Sequence, residues 1–223
     1  MRVRQERAMS HDHADAHQTD EQLWEDRYRG SEQVWSGKPN AALVREAAGL
    51  TPGTALDLGC GEGADAIWLA AHGWRVTAVD VSPTALRRGA SHAAVAGLGD
   101  HIDWQRHDLA ASFPDGKYDL VSAFFLHSRG PLPWRDVLRS AAAAVVPGGV
   151  LLVVGHCAFP SWHTGHHDDV EFPGPDDVLG ALALPDHEWE VLVREAYEFD
   201  ATGPDGQPGT RSDSTVKVRR LAD

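Results

Sequence analysis

Three glycines and two carboxylates stand where they could hold a charged small molecule. Gly59, Gly61 and Gly63 punctuate the stretch Thr54 to Ala71, Asp57 precedes them, and Asp80 follows about 20 residues on. A short apolar run, Ala55 to Leu58, leads into the glycines, and Ala64 to Ala71 leads out with helical character. A strand that bends through glycines into a helix offers backbone N–H groups to a ligand. Glycine suits the bend because it tolerates φ > 0 and has no Cβ to block close approach. The spacing Gly59-x-Gly61-x-x-Ala64 satisfies a dinucleotide pattern, with Asp80 placed to hold a ribose. Two details oppose a pyrophosphate. Gly63 comes one position early, and a carboxylate at Asp57 would repel phosphate at the helix N-terminus. An acid there suits a ligand that carries an ammonium or sulfonium cation.

S-adenosyl-L-methionine is such a ligand, and further motifs follow in order. They are Val76-Thr-Ala-Val-Asp80-Val81-Ser82, then His107-Asp108-Leu109, Tyr118-Asp-Leu-Val-Ser122 and Val146-Pro-Gly-Gly-Val-Leu-Leu-Val-Val154. With Asp57-Leu-Gly-Cys-Gly-Glu-Gly63, this series resembles the class I S-adenosylmethionine-dependent methyltransferases across residues 50–156. The resemblance implies that Asp57, Gly59, Cys60 and Gly61 face the cofactor and that Asp80, Val81 and Ser82 hold its ribose. It implies that Asp108 and Leu109 meet the adenine, and that an N-terminal segment folds over the site as a cover. Trp24, Tyr28 and Trp35 would form that cover; packing of the tryptophans on a sheet edge is the alternative use of the same aromatics. The leader Trp24…Tyr28…Trp35-Ser-Gly-Lys-Pro-Asn40 is similar to the tellurite-resistance and thiopurine S-methyltransferase branch. That implies a soft acceptor, sulfur before oxygen or nitrogen. Arg211 and Asp213 depart from the His-Arg pair of the tellurite enzymes, which points to a small-molecule thiol rather than tellurite.

Methyl transfer needs alignment and dryness more than it needs proton chemistry, and alignment alone can lower a barrier by about 7–11 kcal/mol. A base is required only where the acceptor holds its proton at working pH. In an open α/β sheet, ligands lie beyond the carboxyl ends of the strands where strand order reverses. That places Phe124, Phe125, Leu126 and His127 beside the reacting methyl, with His156 next. His127 is read as a base or as a pocket-shaping residue, and His156 as a second candidate. His163, His166, His167, Asp168 and Asp169 invite a zinc reading, but Gly165 interrupts the helical spacing of His163 and His167. A solvated acceptor lid is preferred, and no metal is expected. His11, His13 and His17 are set in a polar leader, residues 1–20, read as disordered rather than as a metal tail.

The elements that must position these groups form an α/β pattern. A helix is expected over Glu21 to Tyr28, a loop at Trp35 to Asn40 and a helix from Ala41 to Leu50. From Thr54, strands at Arg75–Val79, Ile102–Arg106, Tyr118–Phe125 and Val150–Val154 alternate with helices at Thr84–Ala96 and Pro133–Val145. Ser82 and Pro83 supply an N-cap and a first-turn proline. A turn is expected at Pro147-Gly148-Gly149, a short helix at Pro175–Leu184, and late strands at Trp189–Phe199 and Ser214–Leu221. The sum is a Rossmann-like, doubly wound, mostly parallel seven-stranded sheet, with helices on both faces and a C-terminal antiparallel hairpin. One methyltransferase domain is expected over residues 21–223. Its parts are a cofactor cover (21–50), a cofactor-binding core (54–156), and an acceptor lid with closing strands (157–223).

The chain has 223 residues and a formal net charge of -13, which disfavours nucleic acid and anionic membrane as partners. Two cysteines, Cys60 and Cys157, make no disulfide framework, and a cytoplasmic location is expected. No apolar run approaches the ~20 residues of a membrane span, and no apolar segment follows the N-terminal arginines as in a secretory signal. A small-molecule acceptor and a monomer or homodimer are the expected partners. Gly-x-Ser-x-Gly and Walker loops are absent from the sequence. A cofactor-binding regulator and a nicotinamide oxidoreductase remain the alternatives from other classes.

Overall fold

The computed structural model describes residues 19–126, 132–164 and 172–222. The described residues open with α1 (Asp20–Arg29), whose start is fixed by a reciprocal cap: Gln22 N–H donates to Thr19 Oγ1, and Thr19 N–H donates to Gln22 Oε1. α2 (Ala41–Ala47) is shorter than the expected helix to Leu50, ending in a turn before Pro52. The alternating core follows: β1 (Thr54–Leu58), α3 (Ala64–Ala71), β2 (Arg75–Asp80), α4 (Pro83–Val95), β3 (Ile102–Arg106), β4 (Tyr118–Phe124), α5 (Trp134–Ala143) and β5 (Val145–His156). Ser82 caps α4 by accepting from Ala85 N–H at 3.1 Å, and Pro83 occupies its first turn as expected. The chain ends with α6 (Pro175–Leu182), β6 (Trp189–Thr202) and β7 (Pro208–Arg220).

The seven strands lie in the order β3-β2-β1-β4-β5-β7-β6. The first five pair in parallel, and β7 pairs antiparallel with both β5 and β6. This is the expected sheet, with two local corrections. The turn expected at Pro147-Gly148-Gly149 is a register irregularity inside β5: Tyr118 pairs with Val145, and Leu120 already pairs with Val150. Gly148 at φ +83 lets the strand bulge instead of ending. The closing hairpin extends further than its apolar alternation suggested, with β7 starting at Pro208 rather than Ser214. Cross-strand bonding carries those extra residues although all of them but Asp213 are exposed or half-buried.

Side-chain alternation splits the core between two faces. Ala55, Leu120, Phe124, Val150, Leu152 and Val154 meet α2, α3 and α4 on one face. Leu56, Leu58, Val121, Ala123, Leu151 and Val153 meet α5 and α6 on the other. Full burial of each leucine contributes about 1.5–3 kcal/mol, enough to fix the register of the central strands. Asp57 falls on the α2/α3 face, in the middle of this apolar packing. Among the described residues, no helix is long and apolar enough to cross a membrane.

Candidate functional site

The sheet changes direction between β1 and β4, so the crevice for a ligand opens beyond their carboxyl ends. The glycine turn forms its floor. Gly59, Gly61 and Gly63 all have positive φ, at 71°, 55° and 83°, in the region glycine alone enters cheaply. Cys60 N–H donates to Val79 O at 2.9 Å, which ties the turn to the end of β2. The Cys60 thiol is pushed up by burial, then by Asp80 and Asp57, so it stays neutral.

Asp80 closes β2 and holds the turn. Its Oδ2 accepts from Gly61 N–H and its Oδ1 from Ser82 N–H, both at 2.9 Å. Burial pushes its pKa up, and these amides pull it partly back. Each oxygen keeps a further lone pair for a hydroxyl donor. Val81 and Ser82 carry the chain from here into α4.

Asp57 differs from Asp80 in what surrounds it. It is 2% exposed; Oδ1 accepts from Ser122 Oγ at 3.0 Å, and Oδ2 has no hydrogen-bond partner among the described residues. Burial first, then the charge of Asp65, pushes its pKa up to about 8, with Asp80 adding to the rise. Asp65 sits in the first turn of α3 and is itself raised by burial. A buried carboxyl with an unused oxygen, flanked by two more acids, could receive a cation.

The aromatic cover lies over this floor. Tyr28 is buried, and its hydroxyl accepts from Trp35 Nε1 at 2.9 Å. A Cβ on Gly61 would lie 2.9 Å from the Tyr28 hydroxyl and 3.1 Å from Trp35 Nε1, so the cover rests directly on the turn. Trp24 packs against both, with ring centroids 6.2 Å from Tyr28 and 6.4 Å from Trp35. The guanidinium of Arg27 stacks over Trp24 and Trp35.

Sequence reasoning missed the acids that clamp this cover. Glu25 reaches from α1 to the start of α4, where it accepts from Ser82 Oγ (2.6 Å), Thr84 Oγ1 (2.6 Å) and Thr84 N–H (3.1 Å). Burial opposes its ionisation; the Ser82 and Thr84 bonds and Arg29 outweigh it and lower the pKa to about 2. Glu62, inside the glycine turn, accepts from Val34 and Trp35 N–H and pairs with Arg88 at 2.8 Å. Arg88 also donates to the carbonyls of Tyr28 and Ser31. Asp65 accepts from Asn40 N–H (2.7 Å) and Nδ2 (2.6 Å), which docks the start of α2. The Trp35-to-Asn40 motif was the only sequence signal of these contacts.

The remaining predicted residues are spread more widely. Phe124 is 7% exposed and belongs to the core beneath the crevice. Asp108 is exposed beyond β3, where its Oδ1 accepts from Ala110 N–H at 3.0 Å; Leu109 beside it packs against the α5/α6 core. His156 ends β5 and bonds Asp213 of β7 through Nδ1 at 2.7 Å. His127 lies outside the described residues, as do His11, His13, His17, His166, His167, Asp168 and Asp169. Among the described residues, no group of three or more His, Cys, Asp or Glu side chains is arranged to hold a metal ion.

The glycine cradle and the unanswered oxygen of Asp57 fit S-adenosylmethionine, whose ammonium and sulfonium are cationic. Comparison with known proteins agrees. A family described as "Methyltransferase domain" matches residues 55–149. The 2-heptyl-1-hydroxyquinolin-4(1H)-one methyltransferase of Mycobacteroides abscessus is 31% identical over 159 residues, covering 65% of this chain and 69% of that protein. A ubiquinone biosynthesis O-methyltransferase of a Methylobacterium species is 33% identical over 147 residues, covering 66% of this chain and 55% of the relative. Across such relatives the chain spans between 34% and 69% of their length. The solved structure described as "Conversion of a Disulfide Bond into a Thioacetal Group during Echinomycin Biosynthesis" shares the fold, with a TM-score of 0.68 at 24% identity, covering 89% of this chain and 92% of that one. The chain belongs to the class I S-adenosylmethionine-dependent methyltransferases.

Proposed function

We propose that this protein transfers a methyl group from S-adenosyl-L-methionine to a small-molecule acceptor. The observation that carries the reading is Asp57, a buried carboxyl whose second oxygen has no partner among the described residues, at the switch point of the sheet. The bound cofactor supplies a methyl group on a positive sulfur, open to in-line displacement. Asp57 would receive its ammonium and Asp80 its ribose hydroxyls, while Trp24, Tyr28 and Trp35 exclude water. Asp108 and Leu109, at the end of β3, are the residues assigned to its adenine.

The finer placement in the tellurite-resistance and thiopurine branch rests on the leader Trp24, Tyr28 and Trp35 to Asn40, which would favour a sulfur acceptor. A hydroxyl acceptor is the second reading. It is favoured by the His156–Asp213 bond, which a partly self-ionising thiol would not require. The similarity to a ubiquinone biosynthesis O-methyltransferase leans the same way.

The test is label transfer from methyl-labelled S-adenosylmethionine across thiols, phenols and amines, with Asp80→Ala as the control. Product formed equally by wild type and Asp80→Ala would sink the assignment. Binding without turnover would favour a regulator, and preferential binding of a nicotinamide dinucleotide would favour an oxidoreductase.

A further inference from the structure

His156 and Asp213 stand opposite each other where β5 and β7 pair. Their Nδ1–Oδ1 separation is 2.7 Å; the Asp213 side chain is 8% exposed, whereas that of His156 is 32% exposed. A carboxylate on Nδ1 keeps the ring proton there, leaves the lone pair on Nε2, and stabilises the imidazolium once Nε2 is protonated. Phe125 leans on the imidazole with ring centroids 4.5 Å apart, from a backbone at φ 48. A bulky residue in that region is strained; Phe125 is held there in part by its own N–H, which donates to Val154 O at 2.8 Å.

The sheet register places this pair relative to the cofactor acids. Asp57 pairs with Ser122 and Ser122 with Leu152, so His156 lies two strands across and four residues further on, on the same face. That is about 10 Å sideways and about 13 Å toward the carboxyl edge. A methyl donor anchored at Asp57 and a small acceptor fit in that interval.

We infer that His156, positioned by Asp213, accepts the proton of a hydroxyl on the acceptor, so that the methylated atom is the oxygen of a phenol or enol. The inference rests on the methyl-transfer reading above. The acceptor oxygen gives its proton to Nε2 and a lone pair to the methyl carbon; the old carbon–sulfur pair remains on sulfur, which becomes a neutral thioether. The imidazolium then returns its proton to solvent. A phenol, with a pKa near 10, needs this help at pH 7, while a thiol near 8.5 is already partly ionised.

Among the described residues, the charged and titratable neighbours of the pair have contacts of their own. Cys157 follows His156, and its thiol is held up by burial and then by Asp213, against a bond with Ser214. Arg211 lies over Trp162. Tyr197, opposite Asp213 on β6, carries Arg45 of α2 over its ring, and Arg45 is paired with Glu46 and Glu195. Across β5 from β7, the described residues Phe124 and Phe125 bring no ionisable group.

The test uses the full chain with S-adenosylmethionine, a series of phenols of graded acidity, and alkanethiols in parallel. His156→Gln should lower phenol methylation at pH 7 by about 10²–10⁴-fold, Asp213→Asn by a smaller factor, and Asp213→Glu should restore part of it. Both losses should shrink as pH approaches the phenol's own pKa near 10. A merely structural pair would cost the same at every pH and for thiols alike. Independently of turnover, long-range proton–nitrogen spectra of the S-adenosylhomocysteine complex should show His156 protonated on Nδ1, a preference lost in Asp213→Asn. A protein that binds S-adenosylhomocysteine yet methylates no phenol, or that shows His156 as the Nε2–H tautomer, overturns the inference. Failure to bind S-adenosylhomocysteine would instead overturn the methyl-transfer reading itself.

Discussion

Replacing Asp57 by asparagine should make the cofactor-free protein more stable and the cofactor complex weaker. Asp57 has an ordinary value of 3.8 and is pushed up to about 8 by burial and by Asp65. At pH 7 the folded chain therefore keeps it protonated while the unfolded chain ionises it. A raised carboxyl contributes no cost below its unfolded pKa; stability is then lost as pH rises from about 4 to about 8, at up to about 1.4 kcal/mol per pH unit. The ceiling at pH 7 is about 4 kcal/mol. Asparagine escapes this cost but places an amide donor where Oδ2 had no partner, a penalty of about 1–3 kcal/mol. A net gain of about 1–3 kcal/mol at pH 7 should raise Tm by about 2–4 °C per kcal/mol for a chain of this size. Thermal melts from pH 5 to pH 8 should show the gap between variant and wild type widening as pH rises. Cofactor binding should run the other way. An ammonium binds the ionised carboxylate, so wild type must release a proton, and S-adenosylhomocysteine should bind about tenfold more weakly per pH unit below 8. Above that pH the ligand's own α-amino group begins to lose its charge, which turns the profile over. Calorimetry in two buffers of different ionisation enthalpy reads the released proton directly. In Asp57→Asn that proton should vanish and affinity should fall by about 10²-fold or more. A wild-type affinity flat from pH 6 to pH 8 would refute the assignment of the cation to Asp57, and the same proton release from the variant would refute it in favour of Asp65 as the titrating group.

The other predictions concern the cover and its seat. Glu25→Gln should loosen α1 from α4 and cost about 1–2 kcal/mol, discounted because Arg29 is well exposed; the carboxyl is lowered to about 2, so the stabilisation is full above pH 4.5 and lost as pH falls toward 2, and melts in which the variant's deficit persists at pH 2 would contradict this. Arg88→Gln leaves Glu62 buried without its cation and frees the carbonyls of Tyr28 and Ser31; a loss of about 2–4 kcal/mol is expected, with faster proteolysis between residues 31 and 36, and an unchanged digestion pattern would count against the clamp. Gly89→Ala sets two effects against each other. Alanine favours the helix by about 1 kcal/mol, but its Cβ would lie 2.5 Å from Trp104 Cζ3, so a net loss of about 1–2 kcal/mol is expected, and a more stable variant would mean that Trp104 is free to move.

What could be read in the sequence is what depends on neighbours along the chain. The strand–glycine–helix turn at Leu58 to Ala64 and the Ser82–Pro83 start of α4 are local patterns, and the structure places them within a residue or two, whereas β5 and β7 begin well before their apolar runs. Asp57 and Asp80 were legible as a pair because glycine spacing fixes where a ligand's charge must lie. The acids that finish the site were not, because their partners are far off in sequence. Glu25 meets Ser82 and Thr84, Glu62 meets Arg88 and Trp35, and Asp213 meets His156. A lone glutamate in an amphipathic helix reads as solvated surface, and only the docking of α1 on α4 turns it into a buried acceptor of three hydrogen bonds.

The same long-range contacts explain how one chain tolerates so many acids around one crevice. Glu25, Asp65 and Asp80 are answered by hydroxyl and amide donors, and Glu62 by amides and Arg88, so each has partners before any ligand arrives. Of these acids Asp57 alone keeps an oxygen unanswered by a described residue, and burial with the charge of Asp65 keeps it protonated at neutral pH. Under the proposed function the other buried acids are answered by donors while the neutral Asp57 carboxyl waits for a cation, so its unmet hydrogen bond becomes a source of affinity. Such a site is least comfortable when empty and gains most when filled, which is what separates a binding crevice from a structural acid cluster.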